Sequence, residues 1–362
     1  MQHILKGHEQ IEQALRAVAS HRYMLVCDAS FPFLPIKESL HPAVVFDQFT
    51  PNPLYEQVCN GVKLFNDNRC DALVAVGGGS TIDVAKCIKL YCKMDPRVNY
   101  LQQECFDSGV PLIAVPTTAG TGSESTRYAV VYFEGKKQSV THESIVPDYA
   151  VLEPMLLKTL PLYQKKCTLM DALCQGIESW WSVNSNDESK QYSKIAVETI
   201  MAHWKDYIFH HDDGSNAAIM EAANYAGRAI NITQTTAPHA MSYKLTSMFG
   251  LPHGHAVAVC LPEVWRYMLE HPEECIDPRG SAYLFGVFDD ISSALGFARV
   301  GEAVASIRSM IDMLELQYPQ SKQLQDDIDI LTQSVNPVRL KNNPVALTPQ
   351  SIRQMYCAIV QK

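Results

Sequence analysis

The stretch "DALVAVGGGSTIDVAK" (71–86) restricts the fold more than any other part of the chain. Its apolar run does not alternate with polar residues, so a strand formed there must be covered on both faces. Three glycines then lead directly into a helical period. The same unit recurs: "YMLVCDAS" (23–30), "HPAVVFDQF" (41–49) and "VPLIAVPTTAG" (110–120) read as strands, and 53–68 and 81–91 as helices. Apolar strands alternating with helices predict a parallel, doubly wound sheet, whose ligands bind beyond the carboxyl ends of the strands. The glycine and threonine clusters fall at those ends.

After "YAVLEPMLLKTLP" (149–161) helical periods dominate, over 168–183, 189–207, 216–233, 241–249 and 282–295. A Pro-interrupted connection at 333–350 precedes a last helix. The expected division is an α/β domain over 1–161 and an all-α domain over 162–362, and 362 residues leave room for both cores.

Composition removes several function classes. A net charge of −9 without basic runs argues against nucleic acid or an anionic membrane surface as partner. No apolar run reaches the roughly 18 residues that span a bilayer, and the N-terminal stretch lacks a signal-peptide pattern, so a cytoplasmic protein is expected. The 11 cysteines are scattered and never form C-x-x-C, which predicts reduced, mostly buried thiols.

Three constellations carry chemistry. In "AVGGGSTIDVAK" (75–86), Gly77, Gly78 and Gly79 would let the backbone approach a pyrophosphate at a helix N-terminus, or else simply make a tight turn. In "PTTAGTGSES" (116–125), Thr117, Thr118 and Ser123 could donate to phosphate or ribose oxygens. Two such clusters at strand ends favour a dinucleotide, and Asp28, ending an earlier strand, could accept from adenosine ribose hydroxyls or act as a turn residue. The third constellation joins Asp171 to His239, His253 and His255, a carboxylate and imidazoles suited to Fe, Zn or Mn.

In order along the chain, "FDQFTPNP", "AVGGGSTIDVAK", "PLIAVPTTAGTGSE", "VPDYAVLEP", "DALCQGIES" and "PHAMSYKLTSMFGLPHGHA" resemble the iron-containing (group III) alcohol dehydrogenases. The resemblance implies a Rossmann-like nucleotide domain followed by a helical domain that holds metal and substrate, the dehydroquinate synthase-like fold, with a cleft between them for nicotinamide and metal. It implies pyrophosphate contacts from Gly77, Gly78, Gly79 and Ser80, with Asp83 opening the next helix. Thr117, Thr118, Ser123 and Lys137 match further cofactor positions. Asp171, His239 and His253 match three metal ligands, and Gln175 stands where the family has a fourth, a histidine. Tyr243 likewise replaces a family histidine and is either a proton donor or a packed aromatic.

The implied reaction is NAD- or NADP-dependent, with Fe2+, or Zn2+ or Mn2+, polarising a small aldehyde or activating an alcohol. His255 or a water chain would carry the proton, and a homodimer is expected. Around 180–193 and 227–262 the wording looks like the phosphonate-associated branch, the phosphonoacetaldehyde reductases, for which Arg127, Arg228 and Lys244 would supply cationic partners. The rivals are a general small-aldehyde dehydrogenase of the family, a non-redox dehydroquinate synthase-like enzyme, and a nucleotide-binding pseudoenzyme that has lost its metal.

Overall fold

The computed structural model describes residues 2–210 and 212–361. It divides into two compact units, Met1–Pro161 with His211–Gly227, and Leu162–His210 with Arg228–Lys362. The expected division was a single cut at Pro161, and segment 211–227 departs from it by belonging with the first unit. Helix α6 (Asp213–Thr233), which crosses the end of that segment, has one unbroken period, so nothing in the sequence marks where its packing changes.

The first unit is a six-stranded parallel sheet in the order β1 (His3–Lys6), β8 (Tyr149–Leu152), β5 (Leu112–Pro116), β4 (Ala72–Gly77), β2 (Tyr23–Cys27), β3 (Val44–Phe46). Four strands escaped the sequence reading: edge strand β1, its neighbour β8, and β6 (Tyr128–Phe133) with β7 (Lys136–Thr141), which form a separate antiparallel hairpin. Helices α1 (Gln10–Ala17), α2 (Tyr55–Asp67) and α3 (Gly79–Tyr91) cover the sheet. Met24, Val26, Leu73, Ala75, Leu112 and Ala114 pack with α2 and α3, while Leu25, Cys27, Val74, Val76, Ile113 and Val115 pack on the other face with Ile11 and Ala14 of α1. Burial on both faces explains why these strands read as unbroken apolar runs. The chain leaves β2 for β3 on one side and returns to β4 on the other, so the switch point where such sheets bind ligands lies between Asp28 and Gly77.

The second unit is helical. It contains α4 (Leu162–Trp181), α5 (Asp187–Lys205), α7 (Ala237–Phe249), α8 (His253–Glu270), α9 (Ser281–Ala294), α10 (Val300–Met313), α11 (Leu324–Ser334) and α12 (Pro349–Ile359), while α6 (Asp213–Thr233) contributes its last turns. Every residue of α4 from Leu169 to Trp181 is buried. A helix buried all round has no solvent face for its polar residues, so each one needs an internal partner or a function. Helix α8 was not separated out at the sequence level, because Pro262 interrupts its period. It is held instead by nearly continuous apolar burial from Ala256 to Trp265. All 11 cysteines are free thiols.

Candidate active site

At the carboxyl edge of the sheet, β4 and β5 run in register with Gly77 opposite Pro116, and Thr117 N–H donates to the Gly77 carbonyl at 3.0 Å. The glycine turn and the threonine loop are thereby placed side by side. Gly78 caps α3 and Gly79 and Ser80 begin it. A Cβ on Gly78 would lie 3.3 Å from Thr118 Cγ2, and one on Gly77 would lie 2.2 Å from Thr81 Oγ1 and 2.8 Å from Asp28 Oδ2. Crowding of this kind keeps backbone amides at the surface of the turn. Asp28 Oδ1 accepts from the Ser30 amide and hydroxyl, and Oδ2 accepts from Thr81 at 3.0 Å. Its carboxylate therefore anchors the switch point, and Oδ2, which accepts one hydrogen bond, retains a lone pair for a ribose hydroxyl.

Asp83 and Ser123 have a different task from the ligand contact expected of them. Ser123 Oγ donates to Asp83 Oδ1 at 2.7 Å, and the Val130 amide donates to Oδ2 at 3.0 Å. Lys86, fully buried one turn further along α3, donates to Ser123 Oγ, Thr126 Oγ1 and the Tyr128 carbonyl at 3.1, 3.1 and 2.8 Å. Burial pushes the Lys86 ammonium down to about 8, against the pull of Asp83 and Glu124. It pushes those two carboxyls up. Asn224 completes the network, donating to Glu124 Oε1 at 3.0 Å and to Ser125 Oγ at 2.7 Å. These side chains brace the loop from behind, since their polar atoms are spent on one another. Lys137 lies on the hairpin, paired in register with Tyr132, and its charge acts on Asp83.

In the second unit, Asp171, His239 and His253 come together from α4, α7 and α8, with one ligand atom of each within 4.8 Å of the others. Asp171 Oδ1 is buried 3.3 Å from His239 Nε2 without the alignment of a hydrogen bond. His239 Nδ1–H donates to Glu178 Oε1, and Glu178 Oε2 accepts from the Thr236 amide and hydroxyl at 2.8 and 3.0 Å. That bond fixes the His239 tautomer and leaves Nε2 facing Asp171, the carboxylate–histidine arrangement found behind metal ligands. Burial alone would push His239 down, but Glu178 and Asp171 hold it up at about 10. Burial likewise pushes Asp171 up, and the two imidazoles bring its carboxyl below the ordinary value. One carboxylate oxygen and two imidazole nitrogens are a donor set that would suit a divalent transition ion, held by Asp171, His239 and His253.

Gln175 is buried one turn beyond Asp171 and hydrogen-bonds to its carboxylate. Gly254 brings α8 against α4: a Cβ there would lie 2.0 Å from the Cys167 carbonyl oxygen and 2.8 Å from Asp171 Cβ. Tyr243 stacks on His253, ring centroids 5.8 Å apart and planes 9° apart, which is a packing role beside the ligand.

His255 is not placed as a proton carrier. Its Nε2 donates to the Gln317 carbonyl and its Nδ1 accepts from Tyr163 O–H, both at 2.8 Å, so neither nitrogen is left for a substrate. Burial pushes this imidazole down, consistent with the neutral form. Of the substrate candidates, Arg127 ion-pairs with Glu143 and donates to Tyr128 O–H, which spends its charge within the protein. Arg228 lies over the Tyr192 ring at 4.1 Å. Lys244 is half-buried beside Tyr243 and makes no ion pair among the described residues.

Glu178 and Lys86 were missed at the sequence level although signals existed. Glu178 lies seven residues, two helical turns, after Asp171, and Lys86 lies one turn after Asp83.

Two family models match: iron-containing alcohol dehydrogenase over residues 2–154, and the C-terminal region of the Fe-containing alcohol dehydrogenase family over 166–360. A phosphonoacetaldehyde reductase of Streptomyces viridochromogenes is 34% identical over 79% of this chain and 75% of its own. An NAD-dependent methanol dehydrogenase of Bacillus methanolicus is 27% identical over 96% of this chain and 94% of its own. Among solved structures, sulfoacetaldehyde reductase from Bifidobacterium kashiwanohense in complex with NAD+ superposes with a TM-score of 0.87 at 26% identity, covering 99% of this chain and 96% of that one.

Proposed function

The chain belongs to the iron-containing alcohol dehydrogenases, and from that premise we propose that it reduces a short aldehyde bearing a tetrahedral anion, phosphonoacetaldehyde first, to 2-hydroxyethylphosphonate. The oxidoreductase chemistry rests on one observation above the others, the convergence of Asp171, His239 and His253 with Glu178 behind them. When bound, the ion polarises the aldehyde oxygen and the nicotinamide supplies the hydride. Glu178 keeps Nε2 of His239 turned to the site, and Gly254 lets His253 approach Asp171 closely enough to share a ligand sphere. The backbone at Gly78–Ser80 offers amides to the dinucleotide phosphates. Asp28 at the switch point favours NAD over its 2′-phosphorylated form.

The anionic substrate is supported by two relatives of different kind, one named for a phosphonate and one for a sulfonate aldehyde. Lys244, whose charge no carboxylate neutralises among the described residues, is the first cationic partner and Arg228 the second. The same reading takes Fe2+ as the ion and the protein as a cytoplasmic homodimer.

The test assays purified protein with phosphonoacetaldehyde, sulfoacetaldehyde and propanal, each with NADH and NADPH, alongside metal analysis. We expect kcat/KM for phosphonoacetaldehyde to exceed that for propanal by more than about tenfold, since a charge-assisted contact contributes about 1.5–3 kcal/mol. Equal values would remove the anionic substrate, and nucleotide binding without metal or turnover would identify a pseudoenzyme. Lys244→Ala should raise KM for phosphonoacetaldehyde and leave that for propanal unchanged.

A further inference from the structure

Helix α4 presents Tyr163, Cys167, Asp171 and Gln175 at intervals of four, one turn apart on one face. The first turn of α8 meets this stripe residue by residue. His255 accepts from Tyr163 O–H at 2.8 Å, Gly254 sits against the Cys167 carbonyl, and His253 joins Asp171 in the ligand cluster. The other face of His255 is fixed as well, because its Nε2 donates at 2.8 Å to the Gln317 carbonyl, which follows α10. His255 is only 2% exposed, so it cannot be a solvent-side histidine that happens to touch Tyr163.

From this geometry we infer that His255 is a positioning residue for the metal ligand His253: its bridge from Tyr163 to Gln317 sets the register of α8 on α4. A glycine next to a ligand gives the backbone freedom that something else must remove, and His255 removes it from the following position. Sliding α8 by one residue would break both hydrogen bonds of His255 and bring a Cβ against the Cys167 carbonyl. The register is therefore held at three successive residues, and the ligand is the one at the end. This explains why a buried imidazole with no ligand of its own stands two residues from His253.

The inference rests on the Asp171–His239–His253 metal site. It is tested on the full-length, metal-free protein by titration with Co2+, whose visible d–d bands report coordination geometry, with chelator competition for affinity. His255→Phe keeps an aromatic ring but loses both hydrogen bonds. It should bind Co2+ about tenfold more weakly, the lower end of what outer-shell changes cost, with altered bands. His255→Gln, which can still donate to the Gln317 carbonyl, should recover most of that affinity. Tyr163→Phe, at a partly exposed ring and thus safe for folding, should lose a few-fold in the same direction. Wild-type affinity and bands in His255→Phe overturn the inference, as does a fall in thermal stability without a change in Co2+ affinity. If His255→Phe does not fold, unchanged binding by Tyr163→Phe overturns it. A wild-type protein that binds no Co2+ removes the metal-site reading and this inference together, whereas wild-type-like variants remove this inference alone.

Discussion

The two candidate sites are built on opposite plans. In the first unit the surface offered to a ligand is backbone, at Gly77, Gly78 and Gly79, and the charged side chains nearby, Asp83, Lys86 and Glu124, are turned behind the loop and spent on one another. In the second unit the backbone is hidden inside helices and the surface consists of side chains, one each from α4, α7 and α8. A backbone site fails when a side chain is added, and a side-chain site fails when one is taken away.

The sharpest way to break this contrast is to remove a ligand. His253→Ala should lower kcat/KM for aldehyde reduction by about a thousandfold or more, since the Lewis acid supplies several kcal/mol, while NADH binding measured by fluorescence stays unchanged. Loss of both would show that the two sites are not independent.

The matching experiment adds a methyl group to the first unit. Gly122 has φ +60°, and a Cβ there would lie 2.3 Å from Gly227 Cα, a backbone atom that cannot turn aside. Gly122→Ala should destabilise the protein by about 2–3 kcal/mol and raise KM for NADH, read by denaturant unfolding and steady-state kinetics. Next comes Glu178→Gln, which keeps the shape but weakens the acceptor for His239. Metal affinity should fall about 10- to 100-fold by chelator competition with little change in KM for NADH.

Gln175→His tests the sequence departure itself. Imidazole is a better ligand than an amide for borderline ions, so affinity for Zn2+ should rise about tenfold, and an unchanged value would mean that residue 175 does not reach the ion. The smallest effect is expected at Thr118→Ala. Where the backbone does the binding, losing one hydroxyl should change KM for NADH by no more than about threefold, the low end, about 0.5 kcal/mol, of what a neutral hydrogen bond contributes.

Much of the first site was legible because its parts are contiguous. A strand, a glycine turn and a helix occupy 71–86 in one piece, and a doubly wound sheet of such units puts their loops on one edge. What the sequence could not say was which polar side chains face the ligand. Ser123 looked like any other hydroxyl of its loop until Asp83 and Lys86 were found holding it. In the second site the candidate donors Asp171, His239 and His253 followed from motifs, but the use of the polar groups around them depended on neighbours far along the chain. His255 read as a proton carrier because Tyr163 and Gln317 lie 92 and 62 residues away.

Local chemistry, namely apolar runs without alternation, glycines at strand ends, and carboxylate and imidazole donors, is written in single stretches, so the sequence alone determined the central strands of the parallel sheet and the family, and pointed to candidate metal donors. Only the tertiary structure decided how each polar atom is used. A buried donor or acceptor must be matched by whatever the packing brings to it, and for Glu178, Lys86 and His255 that partner comes from another element. It also decided that 211–227 joins the first unit, because a uniform helical period does not reveal which neighbours it will bury against.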